Sequence, residues 1–343
     1  MNNSENHRKF ITIYSKTQSK INSICLLLFT ECNLACEFCD ETYYSSTKYD
    51  KTKMPLVVEY IEGIKDVIDD ERPVQISMMG GEILQDKLGY SIYEEIISRV
   101  KEVLKDKKGV YFNIITNALF RNVQRVIDLL DHTGATITVS TDVCGRYTKP
   151  YMIPRVLSNI EALTKAGHKP SIAMVATKPA IYSIINDTPE AELFKKLYND
   201  GYFIEFGQYD PRPHATSATR QHKDEGDRYE KYYATTDEIV EFYKVCYKKY
   251  PKVAEIISFK NALISREKKR LHCNETWISY WTGPVYCSDN FYCTKMKFLN
   301  NLCTTCKFFS FCNGLCFGSN EIEQRCWKKE VLEYIAEQEN IVV

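Results

Sequence analysis

"FTECNLACEFCDE", residues 29–41, decides how this chain is read. It continues an apolar run, "SICLLLF" (23–29), and holds Cys32, Cys36 and Cys39 in a C-x3-C-x2-C spacing. A short apolar run ending in polar residues reads as a buried strand, so the three thiols lie on the loop that leaves it. Thiolates are soft ligands that suit iron–sulfur clusters or zinc. Zinc would want a fourth cysteine or histidine close by. The nearest downstream histidine, His132, has no motif around it. A 4Fe-4S cube held by three cysteines instead leaves one iron open to an outside ligand.

The run at 23–29 is the first of six. "VQISMMG" (74–80), "GVYFNIIT" (109–116), "ATITVST" (135–141), "PSIAMVAT" (170–177) and "YFIEFGQY" (202–209) follow. Between them lie stretches with apolar residues at helical spacing: 57–70, 88–106, 120–131, 153–167 and 189–200. Gly167 is placed to end the fourth of these. Such alternation predicts a parallel sheet with right-handed crossovers and chemistry at the C-terminal strand ends. After Tyr209 the alternation stops. Residues 210–236 are polar and rich in Pro, Gly and charge, which reads either as a solvated loop or as a lid over the strand ends. A helix is predicted over 236–250, with Thr236 or Asp237 at its N-cap and Ile239, Phe242 and Cys246 on its apolar face. A last helix is predicted over 327–338.

The 343 residues suggest about two domains. A formal net charge of zero gives no field that would draw the chain to nucleic acid or an anionic membrane. No run approaches a transmembrane length, and the polar first twenty residues are not a secretory signal. The chain therefore reads as cytoplasmic. In that reducing compartment its 14 cysteines point to metal ligation rather than to disulfides. Cys25 and Cys246 are expected to be buried packing residues.

The C-x3-C-x2-C motif, on the loop after the first strand of a six-fold β/α repeat, resembles the radical S-adenosylmethionine (SAM) enzymes. The resemblance implies a partial TIM-like barrel of six β/α units. It implies a 4Fe-4S cluster on Cys32, Cys36 and Cys39, with the amino and carboxylate groups of SAM on the fourth iron. Reductive cleavage of SAM would give a 5′-deoxyadenosyl radical that takes a hydrogen atom from substrate. Four further features match by place. Gly80, Gly81 and Glu82 close the second strand and resemble the family's site for the SAM amino group. Asn117, in "TN" after the third strand, is similar to a recurring T-N-G, with Ala118 where the glycine usually stands. Ser140 and Asp142 resemble an S-x-D near the SAM ribose and carboxylate. Arg155, on the next helix, is a candidate for the carboxylate.

Eight more cysteines lie between 273 and 326. Cys303, Cys306, Cys312 and Cys316 make C-x2-C-x5-C-x3-C, followed by Cys326, and upstream stand Cys273, the "GPVYC" of Gly283–Cys287, and Cys293. This pattern resembles the SPASM extension of radical SAM enzymes, although three residues rather than four separate Gly283 from Cys287. It implies a small cysteine-rich domain with two auxiliary 4Fe-4S clusters. One would sit on Cys303, Cys306, Cys312 and Cys326; the other on Cys273, Cys287 and Cys316. The fourth ligand of the latter is Cys293, an upstream group, or substrate. Structural zinc is the rival reading.

The chain thus divides into an N-terminal segment (1–22), a radical SAM partial barrel (23–209), a connecting segment with the candidate lid (210–270), and the cysteine-rich domain with its final helix (271–343). SPASM enzymes mostly modify peptides, so the expected activity is oxidation or cross-linking of a peptide, a ribosomally made precursor above all. The alternatives are dehydrogenation of a small metabolite such as a sugar or aminocyclitol, and a non-enzymatic zinc or electron-transfer module. Asp289, one residue beyond the place where relatives carry an Asp, is the candidate base, with His214 a weaker one. The resemblance also implies an external donor of flavodoxin or ferredoxin type. Only about twenty residues precede the first strand, so a leader peptide would need a separate binding protein or the 210–270 region.

Overall fold

The computed structural model describes residues 20–39, 47–209, 230–266, 275–281, 283–285, 306–308 and 325–342. Its centre is one sheet. The six predicted strands form where the apolar runs place them: β1 (Ser23–Leu27), β2 (Val74–Met79), β3 (Val110–Thr116), β4 (Thr136–Ser140), β5 (Ser171–Ala176) and β6 (Ile204–Gln208). Each is parallel to its neighbour, in the order β6-β5-β4-β3-β2-β1. Ile24, Leu26, Ile76, Met78, Ile114, Val139, Ile172 and Met174 are all nearly fully buried. Runs this uniformly apolar suit strands covered on both faces.

Helices return the chain between strands. They are α1 (Leu56–Gly63), α2 (Ser91–Val103), α3 (Val123–Thr133), α4 (Met152–Lys165), α5 (Lys178–Ile185) and α6 (Glu192–Asn199). In α2 the buried residues are Ile92, Tyr93, Ile96, Ile97 and Val100, a stripe one helix face wide. α4 runs to Lys165, and Gly167 follows at φ +94°, a left-handed conformation that costs glycine nothing.

Two strands were not predicted. β7 (Glu275–Ser279) lies parallel to β1 on its outer side, pairing Ser23 with Glu275 and Leu27 with Ser279. β8 (Gly283–Val285) turns back antiparallel to β7. Among the described residues the sheet therefore has eight strands and remains open, with β6 at one end and β8 at the other. The first part of the segment expected as a separate cysteine-rich domain is built into the barrel sheet.

Among the described residues three helices flank this sheet: α7 (Thr236–Lys249), α8 (Ala254–Ser265) and α9 (Trp327–Gln338). The N-cap of α7 is Thr235, one residue before the predicted pair. Its side chain accepts from Glu238 N while the Glu238 carboxylate accepts from Thr235 N, a capping box. Ile239, Phe242 and Cys246 form its buried face as expected, and Cys25 is likewise buried. Trp327, at the start of α9, stacks on Tyr243 with ring centroids 5.1 Å apart. Among the described residues no helix is long and apolar enough to cross a membrane.

Candidate active site

The cysteine loop is held against the strand ends by main-chain contacts. Leu28 N donates to Met79 O at 2.9 Å, Gly81 N to Phe29 O at 2.8 Å, and Glu82 N to Glu31 O at 3.0 Å. Gly80 and Gly81 are required by this approach. A Cβ on Gly80 would lie 2.3 Å from Phe29 O, and one on Gly81 2.2 Å from Glu31 O. The glycines expected to admit a ligand here admit the backbone that carries the cysteines.

Within the loop, Leu34 N donates to Cys32 Sγ at 3.4 Å and Cys39 N to Cys36 O at 3.0 Å. Cys36 is buried; Cys32 and Cys39 are partly exposed. Burial pushes the Cys32 thiol up to about 12, with the Leu34 hydrogen bond opposing it and Glu82 adding to it. Cys36 is raised for the same reason, drawn partly back by Arg146. Thiols in this setting become thiolates when a metal supplies the positive charge. Among the described residues no three Cys, His, Asp or Glu side chains converge to hold one metal ion. Ligands to separate irons of a cube need not meet at a point.

Glu82 is fully spent on protein. Its Oε1 accepts from Leu84 N and from Thr116 Oγ1, both at 2.8 Å, and its Oε2 accepts from Asn117 N at 2.6 Å. Burial raises its pKa and these donors lower it. This carboxylate, expected beside the SAM amino group, ties the end of β2 to the end of β3. The amide of Asn117 faces the cysteine loop and donates to Asn33 Oδ1 at 2.7 Å.

Past β4, Ser140 is half-buried and pairs with Ala173. Asp142 is buried, and burial pushes its carboxyl up to about 7 although Arg146 draws it down. Its Oδ1 accepts from Val143 N at 3.0 Å. Arg146 reaches Asp142 Oδ2 at 3.8 Å, with side chains 12% and 0% exposed. Among the described residues neither Asp142 Oδ2 nor Arg146 Nε has a hydrogen-bond partner. The same guanidinium lies over the Phe38 ring, 5.4 Å from its centroid. Unfilled donors and acceptors this deeply buried are costly unless a ligand completes them. Arg155 sits nearer the rim, over the exposed Tyr151 ring at 5.7 Å. Arg146 is the site residue that sequence reading missed; an arginine in "DVCGRYT" looks like a solvated turn residue.

Three thiols on one loop, next to a buried and incompletely bonded carboxylate and guanidinium, fit an iron–sulfur cluster beside an amino-acid-bearing ligand. Residues 26–189 match the Radical SAM superfamily. The chain carries a radical SAM domain. Such a domain indicates an enzyme and implies a 4Fe-4S cluster and SAM. A search of curated proteins found no match. Among solved structures, the radical SAM chain is similar to anSMEcpe with bound AdoMet, at 16% identity and a TM-score of 0.62, over 93% of this chain and 98% of that one. It is similar to anSMEcpe with bound AdoMet and Cp18Cys peptide, at 15% identity and a TM-score of 0.61, over 92% and 97%. It is also similar to Streptococcus suis SuiB bound to precursor peptide SuiA, at 14% identity and a TM-score of 0.56, over 94% and 78%.

Tyr232, just before α7, closes one side of the site. Its hydroxyl donates to Glu37 Oε2 at 2.5 Å, and its ring meets the edge of Phe38 at 5.9 Å. Cys306 and Cys326 are both partly exposed, and Cys326 is the residue before α9. Cys273, Cys287, Cys293, Cys303, Cys312, Cys316, Asp289, His214 and residues 210–229 of the candidate lid lie outside the described residues.

Proposed function

We propose that this chain is a radical SAM oxidoreductase of the SPASM type that modifies a peptide, a ribosomally made precursor, by oxidation or cross-linking. One observation carries the placement of SAM: the buried Asp142–Arg146 pair with unfilled hydrogen-bonding capacity beside the cysteine loop. Arg146 would hold the SAM carboxylate, with Ser140 and Arg155 at the ribose and rim. The carbonyls at Gly80 and Gly81 would accept from the ammonium group. The bound cluster and SAM supply the hydrogen-abstracting radical. Burial of Cys36 and the Phe38 ring keeps water from the cluster side.

The C-terminal cysteine spacing supports two auxiliary clusters. Cys303, Cys306, Cys312 and Cys326 would hold one, and Cys273, Cys287 and Cys316 the other, with Cys293 as its fourth ligand. They would accept the electron left on substrate after hydrogen abstraction, and Asp289 the proton. A peptide substrate is supported by the peptides held in structures of similar fold. The reading places the enzyme in the cytoplasm, served by a flavodoxin- or ferredoxin-type donor and a separate leader-binding protein.

Anaerobic reconstitution tests the cofactor content: about twelve irons per chain for three cubes, with 5′-deoxyadenosine formed on reduction. Co-expression with candidate precursor peptides, followed by mass spectrometry, tests the substrate. Loss of hydrogen mass from a peptide supports the proposal. About four irons, or no altered peptide while a sugar is dehydrogenated, overturns it.

A further inference from the structure

The turn after β3 is strained. Ala118 is fully buried at φ +57°, a conformation that L side chains avoid. Neighbours on three sides hold it there. Asn159, on α4, donates from Nδ2 to Ala118 O and to Phe120 O, both at 2.8 Å. Glu82 accepts from Asn117 N at 2.6 Å. Thr116 Oγ1 accepts from Ala118 N at 3.1 Å. A strained turn braced this way points to something the turn must aim.

That something is the amide of Asn117. Its Oδ1 accepts from Leu119 N at 3.0 Å, which decides the end of the amide that is oxygen. The NH2 group is thereby turned to the cysteine loop. One hydrogen goes to Asn33 Oδ1 at 2.7 Å, and Nδ2 stands 4.0 Å from Cys32 Sγ. Asn33 Oδ1 is itself 3.8 Å from Cys32 Sγ and can accept from a thiol there. A metal-bound thiolate has no proton to give. The second N–H of Asn117 and the N–H of Leu34 then face the sulfur with the right sign. Donors to ligand sulfurs make a cluster easier to reduce, and partners of metal ligands hold them in place.

We propose that Asn117 is a positioning residue for the cluster, acting through Cys32 and Asn33 by raising the cluster's reduction potential and slowing its loss. This rests on the assignment of Cys32, Cys36 and Cys39 as cluster ligands. It assigns Asn117 a role other than contact with SAM.

The test compares the reconstituted full chain with Asn117→Asp, which keeps the acceptor for Leu119 N and removes the donor. Two quantities are read: the midpoint potential of the SAM-responsive electron paramagnetic resonance signal, and the rate of iron loss to a chelator. The expected result is a lower potential and iron loss faster by about tenfold or more, with SAM affinity nearly unchanged. An unchanged potential and loss rate, with weakened SAM binding, overturns the proposal. If Asn117→Asp does not fold, Asn33→Ala breaks the same bridge from the loop side and is read the same way. A wild-type chain that takes up no iron or shows no SAM-responsive signal fails the underlying assignment instead, and is seen before any variant is made.

Discussion

Arg146 meets Asp142 at 3.8 Å in a site where both side chains are nearly inaccessible to water. The separation is an ion pair without a hydrogen bond, so part of the binding capacity of each group is left over. Removing Arg146 leaves a buried carboxyl that burial drives to its neutral form. Arg146→Leu is expected to cost about 1–3 kcal/mol of stability, measured by urea unfolding of the metal-free protein. Asp142→Asn should cost more, because it leaves the buried guanidinium without a counter-charge and a guanidinium cannot shed its proton. In the loaded enzyme, a charged hydrogen bond to SAM is worth about 1.5–3 kcal/mol. Arg146→Leu should therefore weaken SAM binding roughly ten- to hundredfold, read by equilibrium dialysis.

Gly81→Ala places a methyl group 2.2 Å from Glu31 O, where only main-chain movement can relieve it. The expected cost is about 1–3 kcal/mol, with displacement of the loop that carries Cys32. Iron uptake on reconstitution should fall well below the wild-type content while circular dichroism stays near native. Normal iron content in this variant would contradict the docking of the loop on the end of β2.

Glu255, in the first turn of α8, accepts from Phe206 N at 2.9 Å and so covers the free edge of β6. Burial pushes its carboxyl from 4.5 to about 7. Between these values the folded chain holds a proton that the unfolded chain has released. The contribution is therefore full below about pH 4.5 and is lost as pH rises through about 7. Glu255→Gln keeps the acceptor and removes the charge. It should raise stability at pH 8 by about 2–3 kcal/mol and do little at pH 4.5, followed by urea midpoints across that range.

Ala118→Gly removes a left-handed strain of about 1–2 kcal/mol. It also gives up a buried methyl, about 0.8 kcal/mol, and loosens the unfolded chain by about 0.4–1 kcal/mol. The net change should lie within about 1 kcal/mol of zero. Asn159→Leu leaves two buried carbonyls unpaired and should cost about 2–3 kcal/mol. The order of the two unfolding midpoints is the measurement.

Cys36→Ala is expected to abolish SAM cleavage, whereas Cys312→Ala should keep some cleavage and lose product. Both are read by chromatography of 5′-deoxyadenosine against mass spectrometry of the peptide. Full product from Cys312→Ala would remove the proposed role of the auxiliary clusters.

The six barrel strands could be read from sequence because each is a compact apolar run with nowhere to sit but a covered sheet. β7 could not: "ETWIS" is short and half polar, and what makes it a strand is the free edge of β1, some 250 residues away in sequence. α5 was missed because "KPAIYSII" begins with Lys-Pro and is too short to show a period. The cysteine loop could be read because its chemistry lies in its spacing. Arg146 could not, since its burial depends on Phe38, Asp142 and the cysteine loop closing around it. Glu82 was placed by its motif, yet its carboxylate is committed to three donors, two of them on β3 and the turn beyond it.

The pairing of β7 with β1 has a consequence for how the protein is made. During synthesis the N-terminal half leaves the ribosome long before Ser279, so the strand at the base of the cysteine loop, once β2 has joined it at Met79, waits flanked on one side only for about 200 residues. At roughly 5–20 residues per second that wait lasts about 10–40 seconds. Iron delivered before translation ends would meet a scaffold lacking its outer wall.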